Sequence, residues 1–276
     1  MATQRRNKRA LLKPLALLGL VAALLFAFAG QEAMAQDSTV VVPRRQPIQI
    51  AVVVDLPGGE DPLLEFGQGA VNAVQMAIED HKSIRGFRIQ QINFDGDCDP
   101  ETGGEAAANA VVADPQNVGV IGHMCSGSYS VGLPIYQSAG VVTISGSATA
   151  PSPFLWPLGQ NVLNRTIIGA PDEEWEEWYD IVEDLPTVLA WREDYEIRFG
   201  DSPPAFADLY YDATRLLLTR IREVAYVHRG NLVIDREELA DAVRDTEDFL
   251  GVTCLITLDE FGSRIDDLDQ LLPCSD

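Results

Sequence analysis

Between residues 46 and 150 the chain alternates two kinds of apolar spacing. Residues 48–54 (IQIAVVV) form a β-branched run of the sort expected when a parallel strand is buried on both faces. A Pro/Gly loop follows at 56–62, and over 67–80 (GQGAVNAVQMAIED) Val71, Val74, Ala77 and Ile78 recur at helical spacing. The same reading predicts a strand at 86–94, an alanine-rich helix at 103–113 and a short strand at 118–122 (VGVIG). A helix at 128–139 and a strand at 140–145 (GVVTIS) complete the series. Strand and helix at this cadence predict an α/β fold, a doubly wound and mainly parallel sheet with right-handed crossovers.

The next stretch breaks the cadence. Prolines fall at 151, 153, 157, 171 and 186, an acidic-aromatic patch occupies 172–179, and no buried strand is legible in 151–202. Residues 205–227 then place Leu209, Ala213, Leu216, Leu217, Ile221 and Val224 on one side of a long helix. Asp235 is the expected N-cap of another helix, with Glu238 three residues on as in a capping box. Residues 251–258 (GVTCLITL) read as a fifth strand, and 36–45, polar and unpatterned, as a flexible leader.

Ahead of that leader, Arg5, Arg6, Lys8, Arg9 and Lys13 precede an apolar run over 15–29 that ends at Ala33-Met34-Ala35. Basic, apolar and small-residue segments in that order are a secretory signal peptide over 1–35, cleaved before Gln36. The rival reading is a retained membrane anchor, because the run approaches spanning length. Cleavage removes five of the 20 Lys+Arg and one of the 42 Asp+Glu, leaving 15 basic and 41 acidic residues, a charge of −26 over 241 residues. Such a surface repels nucleic acid and excludes it as a partner. The chain is expected to be exported, periplasmic or extracellular.

Four cysteines, Cys98, Cys125, Cys254 and Cys274, favour disulfides over metal ligation in an exported protein. Three pairings are open, as is retention of some thiols in the core.

Ligands of open α/β sheets bind beyond the carboxyl ends of the strands. Two loops there carry suitable groups. His123-Met124-Cys125-Ser126-Gly127-Ser128 leads from VGVIG into a helix, and Gly146-Ser147-Ala148-Thr149 follows GVVTIS. Hydroxyls and backbone N–H groups at a helix N-terminus suit an anion, a carboxylate above all. The plainer reading is that these Ser and Thr only cap helices. Catalytic readings are weaker. His123 lies beside Cys125, but exported cysteines are more often oxidised than nucleophilic. Asp95-Gly-Asp-Cys-Asp99 mimics the start of a calcium loop, yet Pro100 stands where the glycine is needed and Ala106 where the closing Glu is needed. No metal, cofactor or enzymatic activity is expected.

The residues IAVVVDLPGG, FGQGAVNAVQMAIED, DGDCDP, VGVIGHMCSGS and ISGSATAP resemble the leucine/isoleucine/valine-type periplasmic binding proteins, the type I solute-binding fold of ABC importers. The similarity continues in YEIRFGDSPPAFADLYYDAT and FLGVTCLITLDEFG. The resemblance implies a Cys98–Cys125 disulfide, which leaves Cys254–Cys274 as a weaker second pair, private to this chain because many relatives have glycine in place of Cys254. It also implies that the carboxylate and ammonium of an amino acid meet Ser126 and the Ser147-Ala148-Thr149 loop, with the ring of Phe66 beside the ligand. An ABC permease complex would be the partner.

One departure stands out. About a hundred residues, a domain's worth, are missing between Asn164-Arg165-Thr166 and Trp191 relative to the family, the stretch that makes most of the second lobe. The expected organisation is therefore a ligand-binding lobe over 46–150 plus 203–262, a second-lobe remnant or linker over 151–202, and a tail over 263–276. The C-terminal helices and the strand at 251–258 are expected to finish the first lobe's sheet. Delivery of a branched-chain or similar amino acid to a permease is the leading function. The alternative is a single-lobe ligand-sensing or protein-interaction module, or a degenerate copy with little ligand affinity.

Overall fold

The β-branched run at the start of the α/β series becomes the central strand of a six-stranded sheet. In a computed structural model the structure describes residues 38–56, 63–148, 165–167 and 181–265, all within the compact unit Ser38–Asp276. The signal segment, Thr149, the 172–179 patch and Cys274 lie outside the described residues. The elements in chain order are β1 (Thr39–Val42), β2 (Ile48–Val54), α1 (Leu63–His81), β3 (Ser83–Ile84) and β4 (Phe87–Asp95). A π-helical turn (Pro100–Ala106) runs into α2 (Ala107–Ala113). Then come β5 (Asn117–Gly122), α3 (Ser126–Ser138), β6 (Val142–Ser145) and β7 (Arg165–Ile167). The remainder is α4 (Pro186–Phe199), α5 (Ala207–Val224), β8 (Tyr226–His228), β9 (Asn231–Asp235), α6 (Arg236–Arg244), β10 (Phe249–Gly251) and β11 (Cys254–Ile256).

The main sheet has the order β3-β4-β2-β5-β6-β7, parallel throughout except for the antiparallel β3–β4 edge. Side chains of a strand alternate between faces, and β2 uses both. Ile48, Ile50, Val52 and Val54 join the core under α1, α4 and α5, whereas Ala51 and Val53 join a second core with α2 and Tyr136 of α3. Helices on both faces of a mostly parallel sheet are the doubly wound arrangement that the spacing predicts. At Gly119 of β5 an added Cβ would crowd Leu217 of α5 and Val142 of β6, so this glycine lets α5 settle onto the sheet.

Several expectations are corrected. The 36–45 leader contains β1, whose Val40 and Val42 are buried and which pairs with β9. Alternate valines in a four-residue run bury one face, which suffices when a partner strand from far along the chain covers it. The 151–202 segment, expected as a partly helical remnant or linker, does carry a helix, α4, but its Val188, Trp191 and Tyr195 are buried in the main core, and the segment also adds β7, a parallel strand on the sheet edge. The helix expected to reach 227 stops at Val224, because Ala225 turns extended and 226–228 form β8 instead. The strand expected over 251–258 is a hairpin, β10–β11, forming its own two-stranded sheet rather than extending the main one. The buried Asp212 carboxylate of α5 accepts bonds from Val252 N (2.8 Å), Thr253 N (2.9 Å) and Thr253 Oγ1 (2.7 Å), which pins the turn and breaks the strand. Arg264, assigned to the tail, is buried and donates to Thr253 O (2.7 Å) and Leu255 O (2.8 Å). Asp235 caps α6 as expected, accepting from Glu237 N and Glu238 N.

Candidate functional site

The parallel strands run β4-β2-β5-β6-β7, so the order reverses between β2 and β5, and the crevice beyond their carboxyl ends is the natural ligand position of such a sheet. Four chain segments converge there. Asp55 follows β2 and is buried, and Gly67 in the second turn of α1 packs so closely that an added Cβ would strike the Asp55 carbonyl. Gly96 N donates to Val54 O at 2.8 Å, bringing the loop after β4 onto the same edge. Phe66 is half-buried and its ring lies 6.4 Å from that of Phe206 at the start of α5.

The Cys98–Cys125 disulfide joins the loops that follow β4 and β5, the two strands flanking β2, with Cα atoms 5.2 Å apart. Cys254 is also disulfide-bonded, and its expected partner Cys274 lies outside the described residues. Oxidation of Cys125 removes the thiol that a His123–Cys125 nucleophile would need. His123 is instead fully buried, with Nε2 2.8 Å from Tyr136 Oη. Burial holds its pKa down at about 3, with the Gly103 backbone opposing, so the ring is neutral. The acidic 95–99 run is used locally. Asp99 Oδ1 accepts from Glu101 N (2.8 Å) and Thr102 N (2.9 Å), Asp97 Oδ2 accepts from Thr102 Oγ1 (2.8 Å), and Asp95 Oδ1 accepts from Leu56 N (3.3 Å). The two backbone bonds keep the Asp99 pKa below its ordinary value.

Helix α3 begins at Ser126 with no side-chain cap, since the N-cap residue is the oxidised Cys125. Its first backbone donor within the helix register is Tyr129 N, to Cys125 O at 2.9 Å. The N–H groups of Ser126, Gly127 and Ser128 precede that bond, at the positive end of a thirteen-residue helix. Ser126 is half-exposed, while Ser128 and Ser130 turn their hydroxyls back onto Cys125 O and Gly127 O.

The loop after β6 is organised by Ser145, which the sequence marks only as a strand end. Ser145 Oγ donates to His123 O (2.7 Å) and accepts from Ala148 N (2.9 Å) and Ser147 N (3.3 Å). Ser147 Oγ donates to Met124 O (2.9 Å) and lies 2.9 Å from Tyr210 Oη, which must therefore be the donor of that pair. Burial raises the Tyr210 pKa, against the opposing Ser147 and Ser145 hydroxyls, so the phenol keeps its proton. Ala148 is buried beside Tyr129 and Leu133. Of the expected ligand residues, Ser147 and Ala148 are thus drawn to the loop after β5, Ser126 opens the adjoining helix, and Phe66 lies on the first turn of α1. Tyr210 and Ser145 were missed because their role depends on contacts between distant segments.

No family model matches the sequence. The Leu/Ile/Val-binding protein of Escherichia coli (strain K12) is 33% identical over 124 residues, 44% of this chain and 32% of that protein. Among solved structures, an ABC transporter substrate-binding protein from Desulfitobacterium hafniense in complex with Leu superposes with a TM-score of 0.61 at 17% identity. That match covers 80% of this chain and 96% of the other. The type 1 periplasmic binding protein from Bordetella pertussis Tohama I gives 0.62 at 15% identity, covering 82% and 95%. The chain is similar to the Leu/Ile/Val-binding proteins and has the type I periplasmic-binding fold. It spans about a third of the length of the Leu/Ile/Val-binding protein that it matches. Among the described residues no helix is long and apolar enough to cross a membrane.

Proposed function

We propose that this chain is an exported, non-enzymatic solute-binding protein of an ABC importer, holding a branched-chain or similar amino acid by its carboxylate. The observation that carries the reading is the first turn of α3, which lacks a side-chain cap and faces the reversal of strand order. A carboxylate seated there meets the exposed backbone of the first turn at Gly127 beside Ser126, where the helix dipole favours negative charge. Ser147 and Ala148 form the adjoining wall, and Phe66 flanks the aliphatic side chain. The names of the relatives, proteins binding Leu, Ile or Val, supply the ligand class.

Affinity in clamshell binders comes from enclosing the ligand and expelling water. One lobe leaves the ammonium and side chain wet, so a monomer binds leucine with a Kd of about 1 mM or weaker. Calorimetry with leucine and with leucinamide, which lacks the carboxylate, tests both points. Leucine should bind weakly, leucinamide not at all, and Ser126→Ala should weaken leucine further. Equal binding of leucinamide overturns the carboxylate reading, and micromolar leucine binding by a monomer overturns the half-site reading.

A second reading is favoured by the β6 loop, where the Ser147 hydroxyl and the Ala148 N–H are already engaged internally. A single-lobe sensing or interaction module, or a degenerate copy with little ligand affinity, has no need of open donors there. It predicts that no amino acid raises the unfolding midpoint in a thermal-shift screen.

A further inference from the structure

The edge of the lobe opposite the α3 crevice, at the amino ends of β2 and β4, carries a cavity of about 320 Å³. Arg44, Arg45, Gln46 and Arg88 line it, with the turn glycines Gly86 and Gly230. This concentration of cations sits on a chain whose formal net charge is −22. Arg192, Arg198, Arg215, Arg220 and Arg244 each pair with a carboxylate, whereas among the described residues the exposed Arg85, Arg222 and Arg229 form no ion pair. Among the described residues no carboxylate lies within 4.0 Å of Arg44, Arg45 or Arg88, and all three are exposed.

The backbone supplies an independent observation. Arg45 has φ 75°, and two hairpin turns, Arg85-Gly86 and Arg229-Gly230, have φ 49° and 87°, and 50° and 84°. Ile84–Phe87 and His228–Asn231 pair directly across these turns, so each is a two-residue loop with both φ positive. Asn or Asp fills the first position of such turns at least cost, and a long side chain there works against local preference. Of these left-handed arginines Arg45 lines the cavity, and Arg85 and Arg229 each precede a glycine that does. The space beside both glycines is open: a Cβ at Gly86 would meet nothing within 4 Å, and one at Gly230 only the Arg44 side chain at 3.8 Å.

We propose that this cavity binds a phosphate-bearing anion carrying more than one negative charge. Guanidinium groups grip phosphate oxygens in pairs, and three arginines lining one cavity with no carboxylate within 4.0 Å among the described residues favour a polyvalent guest over a single carboxylate. The cavity is larger than one phosphate needs, so a diphosphate or a phosphate ester fits the chemistry, whether free or as a lipid headgroup. The site is separate from the α3 crevice, and its fate does not depend on amino-acid binding.

The test is calorimetry of the purified chain with inorganic pyrophosphate at constant ionic strength. Saturable one-site binding is expected, weakened at least tenfold in the Arg44→Gln, Arg45→Asn, Arg88→Gln triple variant. No saturable heat with the unaltered chain, or equal affinity in a folded triple variant, overturns the proposal. If the triple variant does not fold, Arg44→Gln and Arg88→Gln singly must each weaken binding measurably, and unchanged affinity in both overturns it. Arg45→Asn alone should raise Tm without pyrophosphate while weakening binding, a split that a purely structural arginine does not produce. Pyrophosphate-sensitive co-sedimentation with phosphatidylglycerol vesicles would assign the phosphate to a membrane headgroup, and binding of pyrophosphate without co-sedimentation would assign it to a soluble anion.

Discussion

The hydroxyls of Ser147 and Tyr210 meet at 2.9 Å, bolting the loop after β6 to the long helix α5 from the far side of the chain. Because Ser147 spends its only proton on Met124 O, Tyr210 is the donor, and removing its hydroxyl leaves Ser147 one partner short. Tyr210→Phe should cost about 1 kcal/mol, as for a typical buried hydrogen bond. Urea unfolding of Tyr210→Phe, Ser147→Ala and the double variant checks this. A coupling energy near zero would show the two residues to be independent.

The disulfide between Cys98 and Cys125 closes a loop across 27 positions. Replacing both cysteines by serine should lower stability by about 2–4 kcal/mol, chiefly by loosening the unfolded chain. Chemical denaturation of the oxidised and the doubly substituted protein gives the difference directly. An unchanged midpoint would mean that the bridge adds nothing to the packed lobe.

His123 makes stability depend on acidity. Its folded pKa, pushed by burial to about 3, lies below the ordinary 6.5, so between those values the unfolded chain binds a proton that the folded chain refuses. Stability is therefore complete above about pH 6.5 and falls as the pH drops, by up to ~1.4 kcal/mol per pH unit for one proton. His81, lowered to about 4 by burial, Arg222 and Arg215, acts in the same direction but is screened by solvent. Denaturation midpoints from pH 6.5 to 5 should slope accordingly, and His123→Gln should flatten the slope.

Gly67 tests how tightly α1 seats against the end of β2. A methyl at this position would overlap the Asp55 carbonyl oxygen, a backbone atom that cannot swing aside. Gly67→Ala should destabilise by about 1–3 kcal/mol, the usual cost of overpacking, and should displace Phe66 beside it. A variant with wild-type stability would show that the helix end yields freely.

Much of this architecture is legible in the residues themselves. The continuous apolar run of β2 announces burial on both faces, and Asp235 announces its helix by capping chemistry that is purely local. Beta-1 was not legible, since four residues with two buried valines carry too little pattern to separate a strand from a tail. The β10–β11 hairpin was hidden for a different reason. Its turn depends on Asp212, forty residues away and itself indistinguishable by sequence from any surface acid on α5. The candidate site divides the same way. Ser126 and the small-residue loops follow from strand-end position, but the use of Ser147 within the β6 loop depends on Ser145, Met124 and Tyr210 meeting in space.

The pairing of β1 with β9 sets an order of assembly. Ser38 Oγ bonds Asp235 Oδ2 at 3.1 Å across 197 positions, and Ser38 O accepts from Arg236 N. Until a growing or translocating polypeptide has delivered residue 236, the buried valines of its first strand have no mate. The first strand of the lobe therefore locks only after β9 has emerged, with α6 and the β10–β11 hairpin still to follow.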